Sequence, residues 1–440
     1  MYGVARVGQE FGRGSSVGLM TTVVHRDVAP DDPLAALLAR NAVTFSGDAV
    51  MRFGDYELQS YLGVTHVDGE PGALQRLQRS SARYFQRPDV DYVRFDPART
   101  SLSGGKGGVA FERQNGRHWA FETEGTFTTP EFETNDVGRL SAADGMQFNG
   151  EIEYQETTPG AWYREYSVSV RQQQGWNYEG NRQRASVRSQ VQFTWPNFWE
   201  TSVAHTYDFA TQDMRLTRGG PSMERPAAWQ TTVQVERSEA SQTQGEMSVT
   251  YGRSEAGGLV FSTETGVSLR PGPQWQLSIA PQYEREVDTQ QYLTTLSGGL
   301  PATFGRHYVF GHIDRSTYST EIRLNYTFKP DLNLDFYGEP FAASGRYSHL
   351  AALARARTRE LVEGDFGLAN RNFNVESFRS NLVLRWEWRP GSTLYLVWQQ
   401  DRSADRLRGT RATLADMFRS PGSRGDNFFA IKASFWLSPN

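Results

Sequence analysis

The stretch "NLVLRWEWRPGSTLYLVW", Asn381 to Trp398, places Leu382, Leu384, Trp386 and Trp388 at every second position, with Val383, Arg385 and Glu387 between them. Pro390, Gly391 and Ser392 turn the chain, and Leu394, Leu396 and Trp398 resume the alternation. Side chains on a strand point alternately to its two faces, so this pattern makes one face apolar and the other polar. The same period recurs. Val187, Val191, Phe193 and Trp195 alternate with Arg188, Gln190, Gln192 and Thr194, and Ile322, Leu324, Tyr326 and Phe328 alternate with Glu321, Arg323, Asn325 and Thr327. Alternation sustained over eight or more residues argues for β-strands between two unlike solvents.

Brief turns rich in Gly, Pro, Asn and Asp join many of these strands, near Gly54, Asn115, Pro159, Pro271, Pro330 and Pro390. "IDRST" (313–317) reads as another short turn. Other connections are long: Val28–Asn41, Asp68–Ala98, Pro130–Ala142, Ala210–Pro226, Ala343–Ser377 and Ser403–Gly425. Short turns alternating with long loops are the pattern of an outer-membrane barrel. Helical spacing occurs only inside the long loops, at Asp32–Arg40, Leu74–Phe85, Leu350–Leu361 and Thr413–Ser420.

Composition separates the possible solvents. Mean hydropathy is −0.59, yet 13% of residues are aromatic, with 11 Trp. A disordered chain would lack the aromatics, and a bundle of membrane helices would need apolar runs of about 18 residues. The longest helix-like apolar run is "LAALLA", Leu34–Ala39. A net charge of −4 gives no electrostatic case for nucleic acid. The absence of Cys excludes disulfides and thiolate metal sites. Trp195, Trp199, Trp386, Trp388, Trp398 and Trp436 fit an aromatic girdle at the lipid headgroups, because Trp and Tyr prefer that half-wet boundary. The expected fold is all-β: one transmembrane antiparallel up-and-down β-barrel of about 18–20 strands, spanning residues 1–440 and closing on itself.

Four segments carry a family resemblance: "NDVGRL" (Asn135–Leu140), "DMRLTRGGPSMERP" (Asp213–Pro226), "RLNYTFKPDLNLDFYGEPFAASGRY" (Arg323–Tyr347) and "LRWEWRPGSTLYLVWQQDR" (Leu384–Arg402). In content and order they resemble the barrel part of uncharacterised bacterial outer-membrane proteins that carry an N-terminal family-9-type carbohydrate-binding domain. The resemblance implies a bacterial outer-membrane location. It also implies a signal peptide and a carbohydrate-binding domain upstream, and neither is expected within this chain.

The loop holding Asp213, Arg215, Arg218, Gly219, Gly220, Pro221 and Arg225 is the leading site candidate. Folded into the lumen, its arginines would meet anionic or hydroxyl-rich solutes; otherwise it is a solvated loop held by internal ion pairs. Arg188, Arg323, Asp335, Arg385, Glu387 and Lys432 fall on the polar phase and would face the lumen. As a set they would impose a transverse field; singly they are what a wet wall requires. Tyr163 and Tyr395 are candidates for stacking on sugar rings. "SGGKGG" (Ser103–Gly108) lacks phosphate-loop spacing and reads as a Gly-rich strand or bulge. The scattered histidines, among them His66, His205 and His312, share no metal-ligand spacing. The sequence selects no catalytic residue, metal or cofactor.

Three functions remain open. The first, and leading, is a channel or uptake pore for oligosaccharides or related nutrients, the sugar cargo resting on the resemblance. The second is a non-conducting barrel that anchors a glycan-binding domain or docks a periplasmic or surface partner. The third is an outer-membrane hydrolase. Lipid is the expected partner in all three.

Overall fold

The computed structural model describes residues 1–436 apart from 13, 30, 114–115, 135–139, 238–242 and 406–408. The expected turn at Asn115 and most of "NDVGRL" lie outside the described residues. The first strands are β1 (Tyr2–Phe11), β2 (Ser15–His25), β3 (Asn41–Phe53), β4 (Tyr56–Asp68), β5 (Ser101–Arg113) and β6 (Trp119–Thr128). Next come β7 (Gly145–Glu156), β8 (Glu165–Trp176), β9 (Arg182–Thr194) and β10 (Trp199–Asp208). β11 (Thr211–Asp213) and β12 (Met223–Arg225) form a separate small hairpin. β13 (Ala228–Arg237), β14 (Thr243–Ser254) and β15 (Leu259–Leu269) precede three tall strands, β16 (Trp275–Ser297), β17 (Arg306–Lys329) and β18 (Leu332–Leu353). β19 (Leu361–Glu363), β20 (Phe373–Arg389), β21 (Ser392–Asp405) and β22 (Gly425–Ser434) complete the chain.

All strands but β11 and β12 belong to one 20-stranded antiparallel sheet in which chain neighbours pair. β19 is a three-residue spur on β18, which leaves nineteen wall strands among the described residues. Short turns at 54–55, 195–198, 330–331 and 390–391 occupy one end. Long loops at 69–100, 209–227 and 354–372 occupy the other. The sheet is rolled: Arg357, after β18, reaches Glu179 in the β8–β9 connection at 2.8 Å and the Asp89 carbonyl, after β4, at 2.6 Å. β1 and β22 run in the same direction, as the ends of an odd antiparallel series must. Neither edge can therefore extend the antiparallel ladder of the other, and no ladder joins them among the described residues.

The register assigns the two faces. Val203 lies opposite Val191 and Val233, and Val233 opposite Val249. These apolar rows are exposed: Val203 and Val233 are each 41% accessible, and Ile279 39%. No second layer covers them, and an uncovered apolar face of this extent requires a non-aqueous solvent. Aromatic rings border the band on both sides. Near the turns lie Phe53, Tyr56, Phe111 and Phe121, then Tyr154, Tyr166, Phe193 and Trp195, and finally Trp386, Trp388 and Phe435. Toward the loops lie Tyr207, Trp229, Tyr251, Phe261, Tyr283 and Tyr318. Trp199 and Tyr207, Trp275 and Tyr283, and Tyr318 and Tyr326 are each eight positions apart on one strand. At about 3.4 Å per residue and a tilt of about 40°, this separates the belts by roughly 20 Å along the barrel axis. Such a separation suits a transmembrane β-barrel. Among the described residues no helix is long and apolar enough to cross a membrane.

Two expectations require correction. "IDRST" is not a turn; it runs inside β17, where Asp314 meets Arg285 at 3.2 Å across the ladder and Arg315 pairs with Glu286. Polar side chains suggest a turn only when no neighbouring strand supplies their partners. "LAALARARTREL" is not helical. Its first residues extend β18, and Leu361 begins β19, so the connection shrinks to 354–372. Ala351, Ala352 and Leu353 are buried there beside Phe310 of β17, and packing overrides their helix propensity. Helix does form at α1 (Pro71–Arg79) and α2 (Leu414–Arg419), the latter capped reciprocally by Thr413 and Asp416, while Pro33–Ala36 forms a 3-10 turn.

The two faces predict unequal tolerance to charge. Val203→Arg should destabilise the barrel by about 2–4 kcal/mol at the bilayer midplane. Ser202→Arg, on the lumen side of the same strand, should cost under about 1 kcal/mol. Urea unfolding in phosphatidylcholine vesicles measures both, and equal costs would contradict the assignment.

Candidate functional site

The inward phase is polar along most strands but turns apolar beneath the long loops. Val24, Ala42, Val67 and Leu102 are direct cross-strand partners in one row across β2 to β5. All four are at most 6% exposed. The α1 loop packs onto this row: Ala73, Leu74 and Phe85 cluster with Leu102, and Leu77 covers Val67. Pro71 starts α1 where a missing N–H costs nothing, and Ala73, Leu74 and Gln78 form its buried face. Gly104 of β5 lets residues 131–132 cross directly over the strand, because a Cβ there would lie 2.1 Å from the Phe132 nitrogen. The glycines of "SGGKGG" thus sit within a regular strand.

A second core fixes the 209–227 loop. Met223 packs against Tyr308, Phe310 and Leu353 at the top of β17 and β18. Asp213 accepts from the Arg215 N–H at 2.7 Å and from Arg225 Nε at 2.7 Å. Thr217 donates to the Pro221 carbonyl at 2.7 Å. Arg218, at φ 51°, lies 5.0 Å above the Tyr292 ring. Gly219, at φ 99°, abuts Gln86, and Gly220 lies under the Tyr308 ring, where a Cβ would stand 2.1 Å from a ring carbon. Burial pushes the Arg215 guanidinium below its ordinary range. The loop of Asp213 to Arg225 is therefore a packed part of a lid.

Buried ion pairs join this lid. Arg87 meets Asp144 at 2.7 Å with both side chains at most 1% exposed, and it also donates to Tyr92 at 3.1 Å. Burial drives the Tyr92 phenol well above its usual range. Arg83 pairs with Glu133 at 2.7 Å and donates to the Pro130 and Phe132 carbonyls. Asp89 accepts from the Ser222 N–H at 2.8 Å. Arg357 completes the closure. Besides Glu179 and Asp89, its N–H donates to the Ser222 carbonyl at 2.8 Å, and its carbonyl accepts from Gln212 at 3.1 Å. The Glu179 carboxylate raises the Arg357 guanidinium further above its already high range. Sequence reasoning missed Arg83, Arg87, Asp89, Asp144 and Arg357. The usable signal was an apolar residue on the polar phase at four consecutive loop-side strand ends.

The lumen candidates pair along the wall. Arg188 donates to Gln190 at 3.1 Å, Arg323 to Glu321 at 2.5 Å, and Arg385 to Glu387 at 3.1 Å, each two residues away on its own strand. Asp335 lies opposite Asn325 and Val383, and Lys432 sits over the Tyr395 ring at 5.9 Å. The Arg323–Glu321 and Arg385–Glu387 ion pairs cancel locally and set little field across the lumen, whereas Arg188 meets a neutral amide and keeps its charge. Trp195, Trp199, Trp386, Trp388 and Trp436 stand near the turns, while Trp398 sits mid-strand, stacked on Phe429. Tyr163 belongs to the turn cluster of Trp162 and Tyr166 rather than to the wall. Among the described residues no three His, Asp or Glu side chains converge to hold a metal.

A protein family described as a domain of unknown function (DUF5916) matches residues 70–438. The chain belongs to this family. Among solved structures it is similar to the ferric enterobactin receptor PfeA of Pseudomonas aeruginosa, as a mutant bound to enterobactin, with 10% identity and a TM-score of 0.43 over 97% of this chain and 73% of that one. It is also similar to the siderophore receptor PirA of Acinetobacter baumannii, with 7% identity and a TM-score of 0.45 over 97% and 74%. The NanC porin gives 12% identity and a TM-score of 0.18 over 58% and 94%. No curated protein matches the chain. Likenesses this distant assign no ligand or activity to the family member described here.

Asp144→Asn should leave the Arg87 charge buried without its partner, lowering local lid stability by about 3 kcal/mol. Amide exchange across residues 69–100 should then accelerate by about 100-fold while strand amides stay protected. Unchanged exchange in that loop would refute the pairing.

Proposed function

We propose that this chain is a bacterial outer-membrane channel whose extracellular mouth is closed at rest by its own interlocked loops. One observation carries the reading. Arg357 ties loops from opposite sides of the rim together above a lumen lined by polar side chains from every wall strand. A barrel of this width holds water unless something fills it, and the apolar cores that cover the lumen among the described residues lie at the loop end. Long loops face outward and short turns the periplasm in barrels of this class, which sets the orientation. The cargo we assign is oligosaccharide, following the family resemblance. The whole of residues 1–440 is assigned to the barrel.

The second reading is a non-conducting barrel that docks a partner. The fully buried Leu74 and Met223 favour it, because a lid with its own core can be a permanent plug.

Single-channel recording in planar bilayers separates the two. The wild-type barrel should pass brief, infrequent currents that oligosaccharides block. Arg357→Ala, or removal of residues 355–360, should lengthen the open time by about tenfold. A folded barrel that stays silent in both variants establishes the docking reading.

A further inference from the structure

Directly beneath the 209–227 loop, the wall holds a cavity of about 510 Å³, within the range of about 300–1,000 Å³ typical of small-molecule sites. It is lined from the lumen side by β9, β10, β13, β14, β15 and β16. Its inward polar groups include Arg184, Asp208, Gln230, Ser254, Glu286 and Asp288, with Gln183, Arg225 and Gln290 at its upper margin. All of the wall members fall on the inward phase: Asp208 faces Ser186 and Ala228 in the register, and Gln230 faces Gly252. Gly252 keeps the floor open, since a Cβ there would lie 2.8 Å from the Gln230 Cβ.

The neighbouring charges are committed elsewhere. Arg225 is held by Asp213 at 2.7 Å, Glu286 by Arg315, and Asp288 Oδ1 by the Gln290 N–H at 2.8 Å. Among the described residues Arg184 and Asp208 make no hydrogen bond or ion pair, and they attract one another only through space. The Gln183 amide nitrogen is buried with no acceptor, while its oxygen accepts from the Met214 N–H at 3.2 Å. The cavity therefore offers an unspent donor, Arg184, beside an unspent acceptor, Asp208.

The chemistry of that ligand follows from the charges. Inward carboxylates Glu200, Glu236, Glu246, Glu264 and Glu284 lie on the same arc of wall between the cavity and the turn end, and this stretch disfavours anions. Arg184 in the cavity disfavours a lone cation. A group that both donates and accepts, and carries no charge, satisfies Arg184 and Asp208 together. We infer that this cavity is a binding site for a neutral, hydroxyl-rich solute of about two to three sugar units, held by Arg184 and Asp208 under the lid. The inference rests on the reading of a solute-conducting lumen, but binding is measurable without conduction.

Saturation-transfer NMR and calorimetry on the full chain in detergent micelles provide the test, with neutral maltotriose, anionic trigalacturonate and the cationic glucosamine trimer as probes. Maltotriose should bind, and Arg184→Ala or Asp208→Ala should each weaken it at least tenfold. Gln192→Ala, lower on the same strand and facing Ser202, should leave binding unchanged. Heat-modifiability on gels reports that each variant folds. Maltotriose binding that Arg184→Ala and Asp208→Ala leave intact would overturn the site. Preference for either charged probe, or no binding of any probe, would overturn the chemistry. A barrel that binds maltotriose but never conducts would keep the site and fail the channel reading.

Discussion

Within a lipid layer no water is available to satisfy a backbone N–H or C=O, and each unpaired group costs several kcal/mol. This constraint shapes most of what the chain does. It forces every crossing segment into a ladder with its neighbours, and those ladders run unbroken from β1 to β22. It frees the outward side chains from any duty except apolarity, so Val203, Val233 and Ile279 need no covering layer. It also places the most demanding requirement at the seam between β1 and β22, the one pair of wall edges that the described ladders leave open.

The inside answers to water instead, and its chemistry changes along the barrel axis. Over most of the height the wall is polar, and several of its arginines pair with a carboxylate one step away, as Arg323 does with Glu321. At the loop end the requirement reverses. The row Val24, Ala42, Val67 and Leu102 accepts α1 as a core accepts a helix, and Arg83 and Arg87 enter that core only because Glu133 and Asp144 are already there. A buried pair of this kind adds little net stability but penalises any arrangement that separates it. The loops therefore have one defined packed arrangement, with the Arg357–Glu179 pair on its exposed side.

Much of the wall was legible from residues alone because period two is a local signal. The strand of Leu382 to Trp388, the turn at Pro390 and the strand of Leu394 to Trp398 needed no knowledge of neighbours. Errors arose where partners decided the outcome. Asp314 and Arg315 look like a turn until Arg285 and Glu286 are placed beside them. Leu350 to Leu353 look helical until β17 claims them. The candidate loop was found as a segment, and its internal pair of Asp213 and Arg225 was within reach of the sequence, but its long-range contacts were not. Its glycines receive Gln86 and Tyr308 from other parts of the chain, and no pattern within "DMRLTRGGPSMERP" announces those contacts. Arg87 and Asp144 lie 57 positions apart, beyond the reach of any spacing rule.

The central claim is that one face of each strand meets lipid and the other meets water. The chain has no cysteine, so single cysteine substitutions along β10 from Thr201 to Tyr207 would each report without interference. The measurement is labelling by a charged, membrane-impermeant thiol reagent in vesicles. The positions of Ser202, Ala204 and Thr206 should label, while those of Thr201, Val203 and His205 should stay protected until the membrane is dissolved. Uniform labelling along the strand, or protection of the Ser202 phase, would contradict the account.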